Sequence, residues 1–256
     1  MPIIQGGQHV ALSPVDAAGS GQPRPGVALC LSGGGYRAMI FHLGVLWRLN
    51  ELGYLVRLDR ISSVSGGSIT AALLGLRWAE LDFADGVAQA LEARLVAPIR
   101  AFARETVDVG SVLKGVFLPG SINDKLADAY RRHLFADATL QDLPDDPPRV
   151  VINATNVQTG ALWRFSRPAM RDDLVGEVCR PTVPLAVAVA ASSAFPPLLS
   201  PARLALDPTA FSPPAGEPLH RPPFTDEVYL TDGGVYDNLG LETAWRRYET
   251  ILVSDA

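Results

Sequence analysis

A chain of 256 residues with 48% apolar and 19% charged side chains can bury one large core, which excludes disorder, coiled coil and collagen as overall classes. Its net charge of −5, from 22 basic and 27 acidic residues, has the wrong sign for neutralising many phosphates, so no nucleic-acid partner is expected. Cys30 and Cys179 have neither zinc-ligand nor C-x-x-C spacing and fit a reducing compartment. The start of the chain carries no basic-then-apolar leader, and no apolar run reaches about 18 residues. The expected location is therefore cytoplasmic, with peripheral membrane attachment left open.

Residues 1–25 show no periodicity and read as an N-terminal arm, followed by a single domain over 26–256. Val27–Leu31 is a continuous apolar run, the mark of a strand buried on both faces. Ser32-Gly33-Gly34-Gly35 follows, and Met39, Leu43 and Leu46 then predict a helix stopping at Gly53. A second strand, Asp59–Val64, runs into Ser65-Gly66-Gly67, and a helix of small residues opens at Ser68. This strand–loop–helix–strand–turn–helix order is the opening of a parallel α/β sheet. Further on, Val87, Leu91, Leu95, Ile99 and Phe102 keep one helical face, as do Ile122, Leu126, Tyr130 and Leu134. Between them the apolar, glycine-bounded segment Val109–Pro119 is expected to be either core or a lid. Arg149–Val157 and Ala161–Phe165 form a hairpin candidate around Gln158-Thr159-Gly160. Residues 201–226, rich in proline, read as a long surface loop. Val228–Thr231 is a strand, a helix capped by Asn238 is expected from Leu239, and Ile251–Ser254 is a last strand. Ala256 follows it directly, so a further C-terminal portion is expected.

Three motifs carry chemistry. Ser63-Val64-Ser65-Gly66-Gly67 sits where a strand turns sharply into a helix, the setting of a nucleophile elbow; Ser63 stands where the usual pattern has a glycine. The alternative is a serine–glycine turn capping the helix. Ser32-Gly33-Gly34-Gly35-Tyr36-Arg37 also joins a strand to a helix, so converging backbone N–H groups could hold an anion there. Gly33, Gly35 and Ala38 match a dinucleotide fingerprint, but the second strand ends in Ser65 rather than in an acid. No Lys-Ser/Thr follows, as a P-loop requires. A serine at that strand end points to acyl transfer. Asp232-Gly233-Gly234 places an acid at a strand end; its alternative is a plain turn. Asp237 and Asn238 read as turn and cap residues. Of His9, His42, His133 and His220, none follows Asp232 as the Ser–acid–His order of α/β-hydrolases demands. A direct Ser65–Asp232 dyad is the economical reading, with Asp232 taking the serine proton and returning it to the leaving group.

In order, Ser32-Gly33-Gly34-Gly35-Tyr36-Arg37-Ala38-Met39, Ser63-Val64-Ser65-Gly66-Gly67 and Asp232-Gly233-Gly234 resemble the patatin-like phospholipases. The first motif also looks like the related cytosolic phospholipase A2 catalytic domain, and Ala191-Ser192-Ser193-Ala194-Phe195-Pro196-Pro197 is similar to a further segment of the family. The resemblance implies a three-layer α/β/α sandwich with a mainly parallel central sheet. It also implies a lipid acyl hydrolase working through a Ser65–Asp232 dyad and an acyl-enzyme. The oxyanion hole would come from Gly33, Gly34, Gly35 and Gly66. Arg37 carries over as the motif arginine, meeting a phosphate headgroup, steadying the loop or forming a structural ion pair. The expected substrate is a phospholipid or other acyl lipid met transiently at a membrane surface. No cofactor or metal is expected, because a carboxylate activates the serine and no ligand-spaced cluster occurs. Two alternatives remain: an esterase or thioesterase for another acyl substrate, and a non-enzymatic module that binds an anion.

Overall fold

The computed structural model describes residues 22–105, 122–145, 147–213 and 219–256. The N-terminal arm up to residue 21 and the Val109–Pro119 segment lie outside the described residues. The elements in chain order are β1 (Arg24–Leu31), α1 (Gly35–Glu51), β2 (Leu58–Val64) and α2 (Gly66–Leu76). A small hairpin follows, β3 (Phe83–Ala84) and β4 (Val87–Ala88), then α3 (Ala97–Glu105) and α4 (Ile122–Tyr130). Four strands come next, β5 (Arg149–Asn156), β6 (Leu162–Phe165), β7 (Ala169–Asp172) and β8 (Gly176–Cys179), and then α5 (Leu185–Ser192). The chain closes with β9 (Ala202–Ala205), β10 (Phe211–Ser212), β11 (Glu227–Asp232), the single turn α6 (Gly234–Asp237) and β12 (Tyr248–Ser254).

The strands make one mixed sheet in the order β10-β8-β7-β6-β5-β2-β1-β12, with β11 pairing β5 and β9. Its centre, β12-β1-β2-β5, is parallel. From β5 outwards the pairing is antiparallel. Parallel central strands are covered on both faces, and β5 is buried along its whole length as that arrangement requires. Alternate residues of β1 divide the core. Leu29 and Leu31 join the large cluster that includes Met39, Leu43 and Leu46 of α1 and Ile69 and Leu73 of α2. Ala28 and Cys30 pack on the other face with Ala244 and Tyr248. Burial pushes the Cys30 thiol up to about 12, so it behaves as a small apolar side chain. The result is an α/β sandwich with a mainly parallel centre.

Four sequence expectations are corrected. Val87 does not start a helix; it lies in β4, because Asp85 and Gly86, both at positive φ, form the two-residue turn of a hairpin. Residues 201–226 are not simply a surface loop, since β9 pairs with β11 and β10 with β8; the prolines punctuate short strands. No helix runs from Leu239. Gly240 takes φ +66° and β12 begins at Tyr248, which leaves too few residues to offset the cost of helix nucleation. The Asp237 carboxylate instead accepts the N–H groups of Leu239 and Glu242. Asn238 is accordingly not an N-cap but closes the C-terminal end of α6.

Candidate active site

The topology brings Ser65 and Asp232 together through one strand. β5 pairs with β2 as far as Val64, opposite Asn153. Beyond that point β11 takes over the pairing, running the other way, with Asp232 opposite Ala154. The C-terminal ends of β2 and β11 therefore meet head to head along β5. Thr155 Oγ1 donates to the Asp232 carbonyl at 2.9 Å, and the Asp232 N–H donates to Ala194 O at 2.9 Å. Both bonds fix the backbone from which the carboxylate projects.

Ser65 sits at φ +51° and ψ −119°, a conformation that costs a non-glycine residue energy and that the surroundings must hold. Its N–H donates to Ser192 Oγ at 2.9 Å. Ser192 in turn donates to Asn153 O at 2.6 Å, and Ser63 donates to Val151 O at 3.1 Å. Ser68 Oγ lies 2.9 Å from Ser192 Oγ and 3.1 Å from Ser63 Oγ. With the Ser192 and Ser63 protons committed to carbonyls, the Ser68 hydroxyl is the donor shared between them. Ser63, the departure from the elbow pattern, thus fills its place on the sheet with a bonded hydroxyl. From the sequence alone neither Ser192 nor Ser68 has a role: Ser68 marks only a helix start, and Ser192 only belongs to the segment 191–197 that is similar to the family.

Gly234 N–H donates to Asp232 Oδ1 at 2.8 Å. Burial pushes the Asp232 carboxyl above its usual value, and the nearby Ser65 hydroxyl and the Gly234 bond oppose the shift. Neither ring nitrogen of His42 is available to Ser65: Nδ1 lies 2.7 Å from Ser254 Oγ and Nε2 lies 2.9 Å from Ser32 O. Burial lowers the His42 pKa, consistent with a neutral ring tying α1 to β1 and β12. His133 packs against Phe102 with the rings tilted by 45°, and His220 Nδ1 lies 2.8 Å from Val175 O.

The glycine loop faces this pair. Gly34 and Gly35 take φ +143° and +66°, values that L side chains rarely adopt. A Cβ on Gly66 would fall 2.0 Å from Gly35 O, so the start of α2 is in backbone contact with the loop. The Gly33 N–H donates to Asn238 O at 3.0 Å. This corrects the sequence expectation: Gly33 joins the glycine loop to the acid loop and is not a free oxyanion donor. The N–H groups of Gly34, Gly35 and Gly66 have no acceptor among the described residues. All three residues line a cavity of about 620 Å³ with Ser65 and Asp232 on its surface. Apolar walls come from Ile69, Leu126, Phe195 and Leu199. Arg37, exposed in the first turn of α1, lines the same cavity and forms no ion pair among the described residues.

Comparison with known proteins places this geometry in a family. No curated protein sequence matches the chain. Human GIVD cytosolic phospholipase A2 superposes with a TM-score of 0.57 at 17% identity, covering 89% of this chain and 45% of that one. The same human protein in complex with methyl gamma-linolenyl fluorophosphonate inhibitor and terbium chloride gives 0.52 at 21% identity, with coverages of 88% and 39%. The chain thus spans less than half the length of either structure, and the likeness is one of fold. The Patatin-like phospholipase family model matches residues 29–245. Because that span holds the glycine loop, the serine elbow and the Asp232 loop in one stretch, the chain belongs to the patatin-like phospholipase family.

Proposed function

We propose that this chain is a lipid acyl hydrolase in which Ser65 is the nucleophile and Asp232 the general base. The observation that carries the proposal is Ser65 and the buried Asp232 brought together on one cavity, flanked by three N–H groups without an acceptor among the described residues. Asp232 takes the Ser65 proton as the oxygen attacks the ester carbonyl. The N–H groups of Gly34, Gly35 and Gly66 bind the tetrahedral oxyanion. Collapse expels the alcohol, which receives the proton from Asp232, and leaves the acyl group on Ser65. Water then attacks the acyl-enzyme with Asp232 again as base, releasing the fatty acid and restoring the serine.

Arg37, exposed and without an ion pair among the described residues, would meet a phosphate headgroup at the mouth. The exposed apolar residues Phe195, Leu198, Val235 and Tyr236, in the segments that border the cavity, would dip into a lipid surface. The substrate on this reading is a phospholipid or related acyl lipid presented at a membrane.

The test is covalent. An alkyl fluorophosphonate, the class of inhibitor seen with the human structure, should phosphonylate Ser65, read by peptide mass spectrometry. The Ser65→Ala variant should keep its fold, fail to label and fail to hydrolyse a lipid ester. Labelling at Ser62, Ser63 or Ser68, or turnover by Ser65→Ala near the parent rate, would overturn the dyad.

A further inference from the structure

The glycine loop is short: Ser32, Gly33 and Gly34 are all that separates β1 from α1. Where its N–H groups lie is therefore set by how α1 is held against the end of β1. A side chain of α1 spans that gap. His42 is fully buried about two turns into the helix, and helical side chains lean towards the N-terminus. Its Nε2 lies 2.9 Å from Ser32 O, on the residue just before the glycines, and its Nδ1 lies 2.7 Å from Ser254 Oγ in β12. Ser32 is held elsewhere too: its N–H donates to Ser254 O at 3.1 Å, and its Oγ accepts the Ala256 N–H at 2.9 Å. Gly33 N–H goes to Asn238 O. Those bonds hold the loop to β12 and to the acid loop, whereas the His42 bond holds it to α1.

The two partners dictate where the ring proton sits. A carbonyl oxygen only accepts, so Nε2 carries the proton, and Nδ1 turns its lone pair to the Ser254 hydroxyl, which donates. Burial lowers the His42 pKa against the opposing pull of Ser32 O and Asp255, and a neutral ring has the single proton that this arrangement uses. The N–H groups of Gly34 and Gly35 lie at the far end of the same loop, where α1 begins. A shift of α1 relative to Ser32 therefore moves both donors. Oxyanion stabilisation depends on donors fixed in place before the charge develops.

We infer that His42 is a positioning residue for the oxyanion hole: by donating from Nε2 to Ser32 O, with Nδ1 held by Ser254, it fixes the separation of β1 and α1 that places the Gly34 and Gly35 N–H groups on the cavity holding Ser65. The inference rests on the dyad reading and adds to it a residue that touches neither the substrate nor the reacting atoms. His42 exchanges no proton in the reaction, since both of its nitrogens are committed. Its effect falls on the tetrahedral state, which carries the oxyanion, and not on the bound ester.

The experiment separates the two ring nitrogens. His42→Gln carries an amide N–H at the reach of Nε2, whereas the amide of His42→Asn reaches only as far as Nδ1. Each variant is measured for melting temperature, for kcat and KM on a lipid ester in mixed detergent micelles, and for inhibition by a long-chain alkyl trifluoromethyl ketone. The Ser65 oxygen adds to that ketone, its proton passes to Asp232 and the former carbonyl oxygen becomes the oxyanion, so the inhibitor reports on the hole without turnover. His42→Asn should lose roughly 10- to 100-fold in kcat, the scale for a misplaced group, with KM little changed. Its ketone inhibition constant should rise by a similar factor, as for a transition-state mimic. His42→Gln should lose markedly less on both measures. A merely structural histidine would lower the melting temperature of both variants and leave the ketone constant alone. Equal losses in folded Gln and Asn variants, a loss carried by KM, or an unchanged ketone constant in folded His42→Asn would overturn the inference while leaving the dyad in place. If neither variant folds, Ser254→Ala keeps the ring but removes the donor that holds the proton on Nε2. It should then lower kcat and weaken the ketone without changing KM, and parent values for both would overturn the inference. A parent that neither hydrolyses a lipid ester nor binds the ketone would overturn the dyad reading and the inference with it.

Discussion

At Ser65 the backbone is held at φ +51° by bonds that the side chain itself does not make, so the hydroxyl is not spent on holding the turn. Asp232 carries the larger electrostatic burden. Its carboxyl is raised by burial, so the folded chain holds that proton more tightly than the unfolded chain does. The sign follows from linkage: the contribution to stability is present in full below the ordinary aspartate value and is lost as pH rises through the raised one. At neutral pH the buried carboxylate is therefore a net cost to the fold. Asp232→Asn should melt at a higher temperature than the parent at neutral pH, and the difference should shrink towards about pH 4. The same variant should lose roughly 10²–10⁴-fold in kcat, as general-base removal does. Calorimetry and steady-state kinetics across pH check both. The acid limb of the parent kcat/KM profile should sit above the ordinary aspartate value for the same reason. A less stable Asp232→Asn at neutral pH would contradict the buried-charge assignment.

Between elements, the site depends on contacts too close for any side chain. A methyl on Gly66 would overlap the Gly35 carbonyl oxygen at 2.0 Å, so Gly66→Ala must push α2 away from the loop before α1. Hydrolysis should fall to background, with a lowered melting temperature, measured by ester assay and thermal denaturation. The serines beneath the elbow act in a milder way. Ser192→Ala leaves the Ser65 N–H without its acceptor in a buried place, which costs about 1–3 kcal/mol. Denaturant unfolding should show that loss. kcat should fall more than KM rises, because the elbow then relaxes from the conformation that aims the hydroxyl. An unchanged kcat would show that the elbow is held without Ser192. Several of these elements are legible in the sequence. β1, α1, β2 and α2 follow from apolar runs and glycine stops that depend only on local period. β7, β8 and β9 are not legible in that way. They are four residues each, too short to show a period, and pairing with neighbours stabilises them. The β3–β4 hairpin did carry a local signal in Asp85-Gly86, a dipeptide suited to positive φ at both positions.

Across the whole molecule, the cavity opens beside a rim of exposed apolar residues. Leu198 is 55% exposed and lies just outside the residues that line the cavity. Leu198→Ser should leave the melting temperature within the small range of surface changes, about 0.5 kcal/mol or less. It should also reduce the rate on phospholipid vesicles relative to a soluble short-chain ester. Equal rates on both substrates would remove this rim from the membrane contact. On the proposed mechanism, in which a carboxylate activates the serine and backbone N–H groups meet the oxyanion, turnover of a dispersed ester should survive chelation of divalent ions. A strict requirement for calcium or zinc on the soluble ester would point to a missing ligand. Among the described residues no helix is long and apolar enough to cross a membrane.

The sequence by itself determined the order of the chemistry: a glycine loop after a first strand, a serine elbow after a second, an acid at a late strand end, and no histidine in the order a triad needs. These follow from local rules, because glycine, small residues and apolar runs constrain the backbone within a few residues. Only the tertiary structure decided how residues 65 and 232, far apart in the chain, share one site. That depends on β11 taking over the β5 edge where β2 stops, a pairing set by burial and hydrogen bonding between distant segments. The tertiary structure also withdrew Gly33 from the oxyanion donors by giving its N–H to Asn238. It occupied both nitrogens of His42 as well. Each of these is a matter of which partner a polar group meets, and that is fixed only when the chain has closed around it.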